Sequence, residues 1–415
     1  MSDAKIRASY GVTGNNRVGD YASFSTLSLP VADSYSPGGV YIRGAAPVAL
    51  GNPNLKWEST AEADLGLDLG FFNQRVVLTA DLYRKKTTDL LLNSQLPPTS
   101  GYLTAFQNIG AVQNQGVELT LATVNLAQKA FGWTSNFNIA FNQTKVLELS
   151  QNQDFLLTTV PWSSASGYGN VPAYIAQVGQ PVSQMYGFEW AGNYQLNDFN
   201  ETTPGNYTLK DGVPNNGITR SSIRPGDIKY ADLNGDGVVD NNDRKTIGNP
   251  NPKFIGGFSN NFTFKGFDLN VFLQFSYGND ILNANRIIFE GGALKPGLNQ
   301  FASYANRWTI DNPTNDLYRV GGQGPRVYST RIIEDGSYLR LKTVNLGYTF
   351  PAPLARRAHL QSLRVYAAAQ NLLTWTNYSG NDPEVSAYGS ALTPGFDFSV
   401  YPRARTFTFG LNFSL

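Results

Sequence analysis

The chain has 415 residues, 41% of them hydrophobic, with 32 basic and 31 acidic residues and a formal net charge of +1. That balance, without a long like-charge run, argues against a nucleic-acid partner. The absence of cysteine excludes a disulfide framework, and a single histidine, His359, leaves Ser-His-Asp catalysis or a multi-histidine metal site only one residue to pass through.

The first element opens almost at once. Ile6, Ala8, Tyr10 and Val12 alternate with polar or small residues, the period-2 pattern of a strand. From Thr60 to Leu69, Ala61, Ala63, Leu65, Leu67 and Leu69 share one face, while Glu62, Asp64 and Asp68 on the other require water. Val76, Leu78, Ala80 and Leu82 repeat the pattern, then Val117, Leu119 and Leu121 against Glu118 and Thr120. Trp133, Phe137, Ile139 and Phe141 alternate with Thr134, Asn136, Asn138 and Asn142. Phe258, Phe262 and Phe264 follow, and the row from Phe267 through Leu269, Val271, Leu273 and Phe275 to Tyr277 is the cleanest apolar face. Val344, Leu346, Tyr348 and Phe350 come next, then Leu363, Val365, Ala367 and Ala369. The chain closes on T-F-T-F-G-L-N-F-S-L, with Phe407, Phe409, Leu411, Phe413 and Leu415 on one face. The pattern predicts about ten long strands.

Short turns are expected at Phe72-Asn73-Gln74, Asn125 to Gly132, Lys265-Gly266 and Pro351 to Gln361, and long connections at 13–57, 91–112, 148–253, 278–337 and 376–403. Strict short–long alternation is the signature of an outer-membrane barrel, with short periplasmic turns and long extracellular loops. A soluble β-sandwich has strands of about 5–6 residues and shorter loops. The fold expectation is therefore an all-β, antiparallel transmembrane barrel, placed in the cell outer membrane as a multi-pass protein. No apolar run approaches the roughly 18 residues of a membrane helix. Within 148–253, Met185 to Trp190 and Gly226 to Tyr230 look like short strands, expected as an extracellular hairpin rather than two more crossings.

The sharpest local motif is Asp232 to Asp243, D-L-N-G-D-G-V-V-D-N-N-D. Calcium takes six to eight hard oxygens, and this loop offers Asp232, Asn234 and Asp236 side chains, the Val238 carbonyl, Asp240 through water and Asp243 at the last position. The expectation is a structural calcium ordering an extracellular loop; the plainer reading is an Asx-rich turn. Loop aromatics are the candidate substrate contacts: Trp162, Tyr168, Trp190 and Tyr194 first, with Tyr304, Trp308, Trp375 and Tyr378 beside them. Flat rings stack on sugars and other apolar ligand surfaces, although loop packing, or an interfacial girdle for Trp375, explains any one of them as well. Asp64, Asp68, Asp81 and Glu118 are expected to face a watery lumen, and no pair of them stands out as a glycosidase acid and base. His359, beside Arg356 and Arg357, reads as an exposed turn residue. No catalytic residue is assigned, and an enzyme is not expected.

Taken together, several stretches resemble the SusC/RagA family of TonB-dependent outer-membrane transporters of Bacteroidota. They are Ile6 to Asn15, Asn52-Pro53-Asn54-Leu55-Lys56-Trp57-Glu58, Asn108-Ile109-Gly110 with Asn114 to Glu118, Asp232 to Asp243 running into Ile247 to Pro250, Asp335 to Lys342, and Gln370-Asn371-Leu372. The resemblance implies a 22-stranded barrel with an N-terminal plug. These residues match its C-terminal 10–12 strands, with the plug, signal peptide and TonB-contacting segment lacking. It implies import of oligosaccharides or peptides with a SusD-like lipoprotein, TonB acting through the missing N-terminal part, and outer-membrane lipid around the wall. On this reading the chain is a fragment inactive by itself. A surface carbohydrate-binding β-protein without transport activity is the alternative.

Overall fold

A computed structural model of the chain describes residues 1–16, 18, 20–28, 34, 35, 38, 42–95, 99, 102, 104–149, 153–162, 167–291 and 297–415. Its frame is one ten-stranded sheet. We label its strands β1 (Asp3–Asn15), β2 (Glu58–Phe71), β3 (Val76–Thr88), β4 (Ala111–Ala127), β5 (Phe131–Glu148), β6 (Phe254–Phe264), β7 (Phe267–Tyr277), β8 (Tyr338–Thr349), β9 (Ser362–Thr376) and β10 (Thr406–Ser414). Each pairs antiparallel with its neighbour in this order. All ten expected strands are present, and β5 is the longest at 18 residues.

The turns fall as the composition dictates. Lys265 and Gly266, both at positive φ (46° and 90°), close a two-residue hairpin between β6 and β7, the geometry that matches the twist of paired strands. Phe72, Asn73 and Gln74 turn between β2 and β3 entirely in the left-handed region. The β4–β5 turn is tighter than expected, because β4 continues to Ala127 and β5 begins at Phe131. Residues 351–361 contain a short helix, Ala352–Arg357. Among the described residues, all other connections are long and leave from the opposite end of the sheet.

Register converts the alternation into two surfaces. Leu65, Leu82, Val117 and Phe141 stand side by side across four strands, as do Leu69, Leu78, Leu121 and Phe137. Many residues of this apolar face are solvent-exposed, with Phe409 80% and Ile6 76% accessible, far beyond what a water-soluble surface leaves as one continuous patch. The other face is polar. Over β1 to β4 it is charged; over β5 to β9 asparagine, glutamine, serine and threonine line it beside the charged Asp268, Arg340 and Arg364, with Asn270 donating to Asn261 at 2.7 Å and to Ser259 at 3.1 Å.

Among the described residues, two charged straps span three strands of this inner face. Arg7 on β1 donates to Asp68 on β2 (2.9 Å) and, past β2, to Asp81 on β3 (2.8 Å). It passes over Gly66, where a Cβ would lie 2.5 Å from the guanidinium carbon. On the far side Arg364 of β9 reaches Asp268 of β7 (2.5 and 3.1 Å) across Gly347 of β8, where a Cβ would lie 2.2 Å from the guanidinium. Each strap needs a strand between its ends and no side chain on that strand. One further irregularity sits in β8: the register skips Lys342 against both β7 and β9. That bulge puts Leu339 and Leu341 on the outer face before it and Val344, Leu346 and Tyr348 on the same face after it.

The strap makes a testable demand. Gly66→Ala drives a methyl into Arg7 and Asp81, and overpacking of this kind costs about 1–3 kcal/mol. The urea midpoint of the heat-modifiable folded form should drop accordingly. Gly11→Ala, with nothing within 4 Å of its Cβ, should move the midpoint by no more than about 0.5 kcal/mol; equal midpoints for the two variants would remove the strap from the account.

Candidate functional site

Three of the long connections fold into one module at the long-loop end. Its main core takes Val160, Trp162, Tyr168, Tyr174 and Met185 from 149–253, Leu282, Ile287, Ile288, Tyr328 and Ile332 from 278–337, and Phe396 from 377–405. Short strands bind it: Phe155–Thr159, Pro172–Gln177, Gln184–Phe188 and Arg244–Gly248 form one sheet. Ile333–Asp335, Asp280–Asn283 and Phe396–Asp397 form another. The expected hairpin is only half present. The chain breaks at Glu189, so Gln184–Phe188 joins the four-stranded sheet while Trp190–Asn193 pairs with Ile228–Tyr230.

The candidate aromatics are distributed unevenly by this packing. Trp162 and Tyr194 are fully buried and Tyr168 is 3% exposed. The Trp162 indole N–H donates to the Tyr328 hydroxyl at 2.6 Å, and the Tyr194 hydroxyl donates to the Pro214 carbonyl at 2.7 Å. These rings hold the module together and turn no open face to a ligand. Trp190 is half-buried, its indole N–H closed on the Gly192 carbonyl at 2.8 Å. Trp308 and Tyr378 are buried, whereas Trp375 is 51% exposed in the outer row with Leu339, where an interfacial girdle sits. A loop rich in Trp and Tyr reads as a ligand surface from sequence, but three loops that fold together need a core of their own.

The module is fastened to the inner wall at two places. On β5, the Val146 N–H donates to the Gln180 carbonyl and the Gly179 N–H to that of Val146. Val146, Leu149 and Ala176 close a small apolar cluster there. On β8, Arg340 is 2% exposed and donates to Asp382 at 2.5 Å and Glu384 at 2.6 Å; Lys342 and Arg403 approach Glu384 at 3.4 and 3.0 Å. Burial pushes the Asp382 carboxyl upward, but Arg340 and the backbone N–H groups of Glu384 and Arg403 outweigh it and hold the carboxyl below the usual range. Sequence reasoning missed this anchor, as it missed Arg7; Arg340 does show the right parity, an arginine in the polar phase of an amphipathic strand.

Of the candidate lumen carboxylates, Asp68 and Asp81 share the guanidinium of Arg7, while Glu118 lies opposite Asp81 and Asp64 opposite Tyr83. A shared cation suits a charged wall.

Asp232 to Asp243 forms a tight loop. The Asp232 carboxylate accepts from the Gly235 and Gly237 N–H groups, both at 2.7 Å, Asn234 from Asp236 at 3.0 Å, and Asp236 from Val238 at 2.8 Å. Gly237 takes φ 84°, the turn its position requires. Asp243 is fully buried and accepts from the backbone of Leu233 and of Asp240, at 2.7 and 2.8 Å. Among the described residues, no three acidic or histidine side chains converge on a metal position by themselves. An ion here would draw also on Asn234 and the Val238 carbonyl, and the oxygens bound to backbone N–H keep lone pairs for it.

The similarities of the chain agree with this architecture. A family model described as TonB dependent receptor-like, beta-barrel matches residues 3–372. TonB-dependent receptor P3 of Formosa agariphila is 36% identical over 416 residues, covering 98% of this chain and 39% of that protein. TonB-dependent receptor SusC of Bacteroides thetaiotaomicron is 28% identical over 419 residues, covering 99% and 37%. Among solved structures, the RagAB peptide importer in its "closed-closed" state superposes with a TM-score of 0.76 at 26% identity, over 99% of this chain and 41% of that one. The chain thus spans about two fifths of the length of the curated relatives it matches.

The Arg340 anchor yields a pH-dependent expectation. Asp382 has a folded-state pKa below its unfolded one, so its contribution is complete at neutral pH and fades as pH falls through and below about 3.9. Removing one member of a buried ion pair costs about 3–5 kcal/mol. Arg340→Met should therefore expose 377–405 to protease at pH 7, where the wild type resists; resistance in the variant would show that the anchor does not hold the loop.

Proposed function

We propose that this chain, which belongs to the TonB dependent receptor-like β-barrel family, supplies wall and loop module to an outer-membrane importer of oligosaccharides or peptides. The family is one of outer-membrane β-barrels that serve nutrient uptake, and its members act as transporters and receptors. The observation that carries the finer reading is the pairing of a ten-strand wall, apolar outside and polar inside, with one fused module at its long-loop end, superposable on the RagAB peptide importer. On this reading the short turns, including that around His359, are periplasmic and the module over 148–253 is extracellular. The amide-lined part of the inner wall suits neutral, hydrogen-bonding cargo.

A SusD-like lipoprotein is the partner proposed at the module, and the TonB complex is the proposed source of energy, acting outside these residues. Chemistry on the cargo is not part of the proposal. Transport also requires the free sides of β1 and β10 to be paired, because each unpaired backbone group in hydrocarbon costs several kcal/mol. Calcium is proposed to occupy 232–243 and to order the module rather than to react.

Two measurements test the proposal. Membrane fractionation should place the protein in the outer membrane with heat-modifiable mobility, together with a lipoprotein partner on affinity purification; recovery as a soluble periplasmic or secreted species defeats it. Titration calorimetry should detect calcium at or below millimolar concentration and lose the signal in Asp232→Ala/Asp236→Ala. No heat in the folded wild-type protein removes calcium from the proposal and leaves the barrel reading standing.

A further inference from the structure

The outer face of the wall changes character abruptly between two adjacent rows. Leu65, Leu82, Val117 and Phe141 are in register across β2 to β5. One pleat nearer the long loops the same face carries Arg84, Gln115 and Gln143, and the next row carries Lys86, Gln113 and Lys145. A cavity of about 780 Å³ is lined by the Leu65 and Arg84 rows together with Asp64, Tyr83, Gly116 and Asn142 between them. The intervening residues have side chains on the inner face, so the space is a groove on the outer face floored by their backbone. It ends at Pro181, Asn251 and Lys253, where β5 extends past the start of β6.

The cations above this groove lack counter-charges. Among the described residues, no carboxylate lies within salt-bridge distance of Arg84, Lys86 or Lys145, although fourteen ion pairs occur elsewhere. All three are exposed. Arg84 is oriented by a neutral group, donating through Nε (2.9 Å) and an Nη (2.6 Å) to the buried Gln113 amide, which leaves its charge unspent. Of the strand carboxylates nearest in register, Glu62, Asp64 and Glu118 point to the other face, where Glu62 is paired with Lys85 at 3.0 Å, and Glu148, opposite Ala111 one row beyond Lys145, lies outside ion-pair distance of all three cations. Elsewhere on the rim the outer face carries aromatic rings instead, with Tyr277 and Trp375 near Leu339.

We propose that this groove binds an anionic, phosphorylated amphiphile of the surrounding leaflet. Its acyl chains lie along Leu65, Leu82, Val117 and Phe141, and its phosphate sits among Arg84, Lys86 and Lys145. The apolar row makes a single-point anion site insufficient, and the unpaired cations distinguish this arc from wall that only meets hydrocarbon. The site rests on the outer-membrane placement proposed above, because only there does the apolar row face acyl chains.

The test uses the complete protein carrying this chain, purified in nonionic detergent and given diphosphoryl lipid A, with retained lipid counted by native mass spectrometry. The wild type should retain at least one lipid per protein. Arg84→Gln/Lys86→Gln/Lys145→Gln should retain at least tenfold less, and Arg84→Lys/Lys86→Arg/Lys145→Arg should restore retention. Heat-modifiable mobility of each variant confirms the fold. Inorganic phosphate at millimolar concentration should not compete, and enzymatically dephosphorylated lipid A should not be retained. Equal retention by the glutamine variant overturns the proposal, as does competition by free phosphate, which would mark a simple ion site. A dimer mass lost only in the glutamine variant would assign the groove to a second copy of the chain and equally overturn it. Absence of the protein from the outer-membrane fraction defeats the functional reading instead, whatever the micelle experiment gives.

Discussion

Everything in this fold follows from the need to pair each backbone N–H and C=O where no water can do so. Hydrocarbon leaves a β-strand no option but a neighbour on either side, and the ten long strands meet that demand through nine consecutive antiparallel ladders. Antiparallel neighbours in turn permit two-residue reversals such as Lys265-Gly266 at one end. They leave the other end free to carry connections of almost any length, since loop closure grows costlier only slowly with chain length. The module is the use made of that freedom.

The register that satisfies the backbone also fixes what the side chains can do. A strap such as Arg7 to Asp81 bridges three strands, which is possible only because the middle strand offers Gly66 at that level. The same logic recurs with Arg364, Gly347 and Asp268. Inside the module the accounting is different: its core is built from rings and branched chains as in a soluble domain, and of its deep charge clusters one, Arg331 with Glu290, lies within it and another, around Arg340, lies where it meets the wall. The molecule thus follows two folding rules, pairing in the wall and burial in the module, joined at Val146 and Arg340.

How far the sequence could be read depends on the distance over which each feature is encoded. Leu65, Leu67 and Leu69 against Asp64 and Asp68 declare their faces within a few residues, so the strands and their sidedness were visible. Asp232 to Asp243 is likewise local, and its hydrogen-bonded turn follows the spacing of its own side chains. Arg7 and Asp68 are 61 positions apart, and nothing in either neighbourhood names the other. Trp162 meets Tyr328 across 166 positions, so its burial was illegible from a segment that looked like surface loop. The break at Glu189 escaped notice for a related reason: an uninterrupted run of strand formers does not say that its halves choose different partners.

The bulge at Lys342 has a consequence for how this strand can change over evolutionary time. In a wall with a wet side and an oily side, losing one residue from the interior of a strand swaps the sides for everything beyond the gap. In β8 the residues flanking Lys342 already alternate as though it were not there: Leu341 lies outward, Thr343 inward and Val344 outward. Lys342 is therefore the position whose loss leaves the sidedness of both halves unchanged. Natural length variation within this strand should concentrate at that single residue, while its neighbours are held to an invariant count.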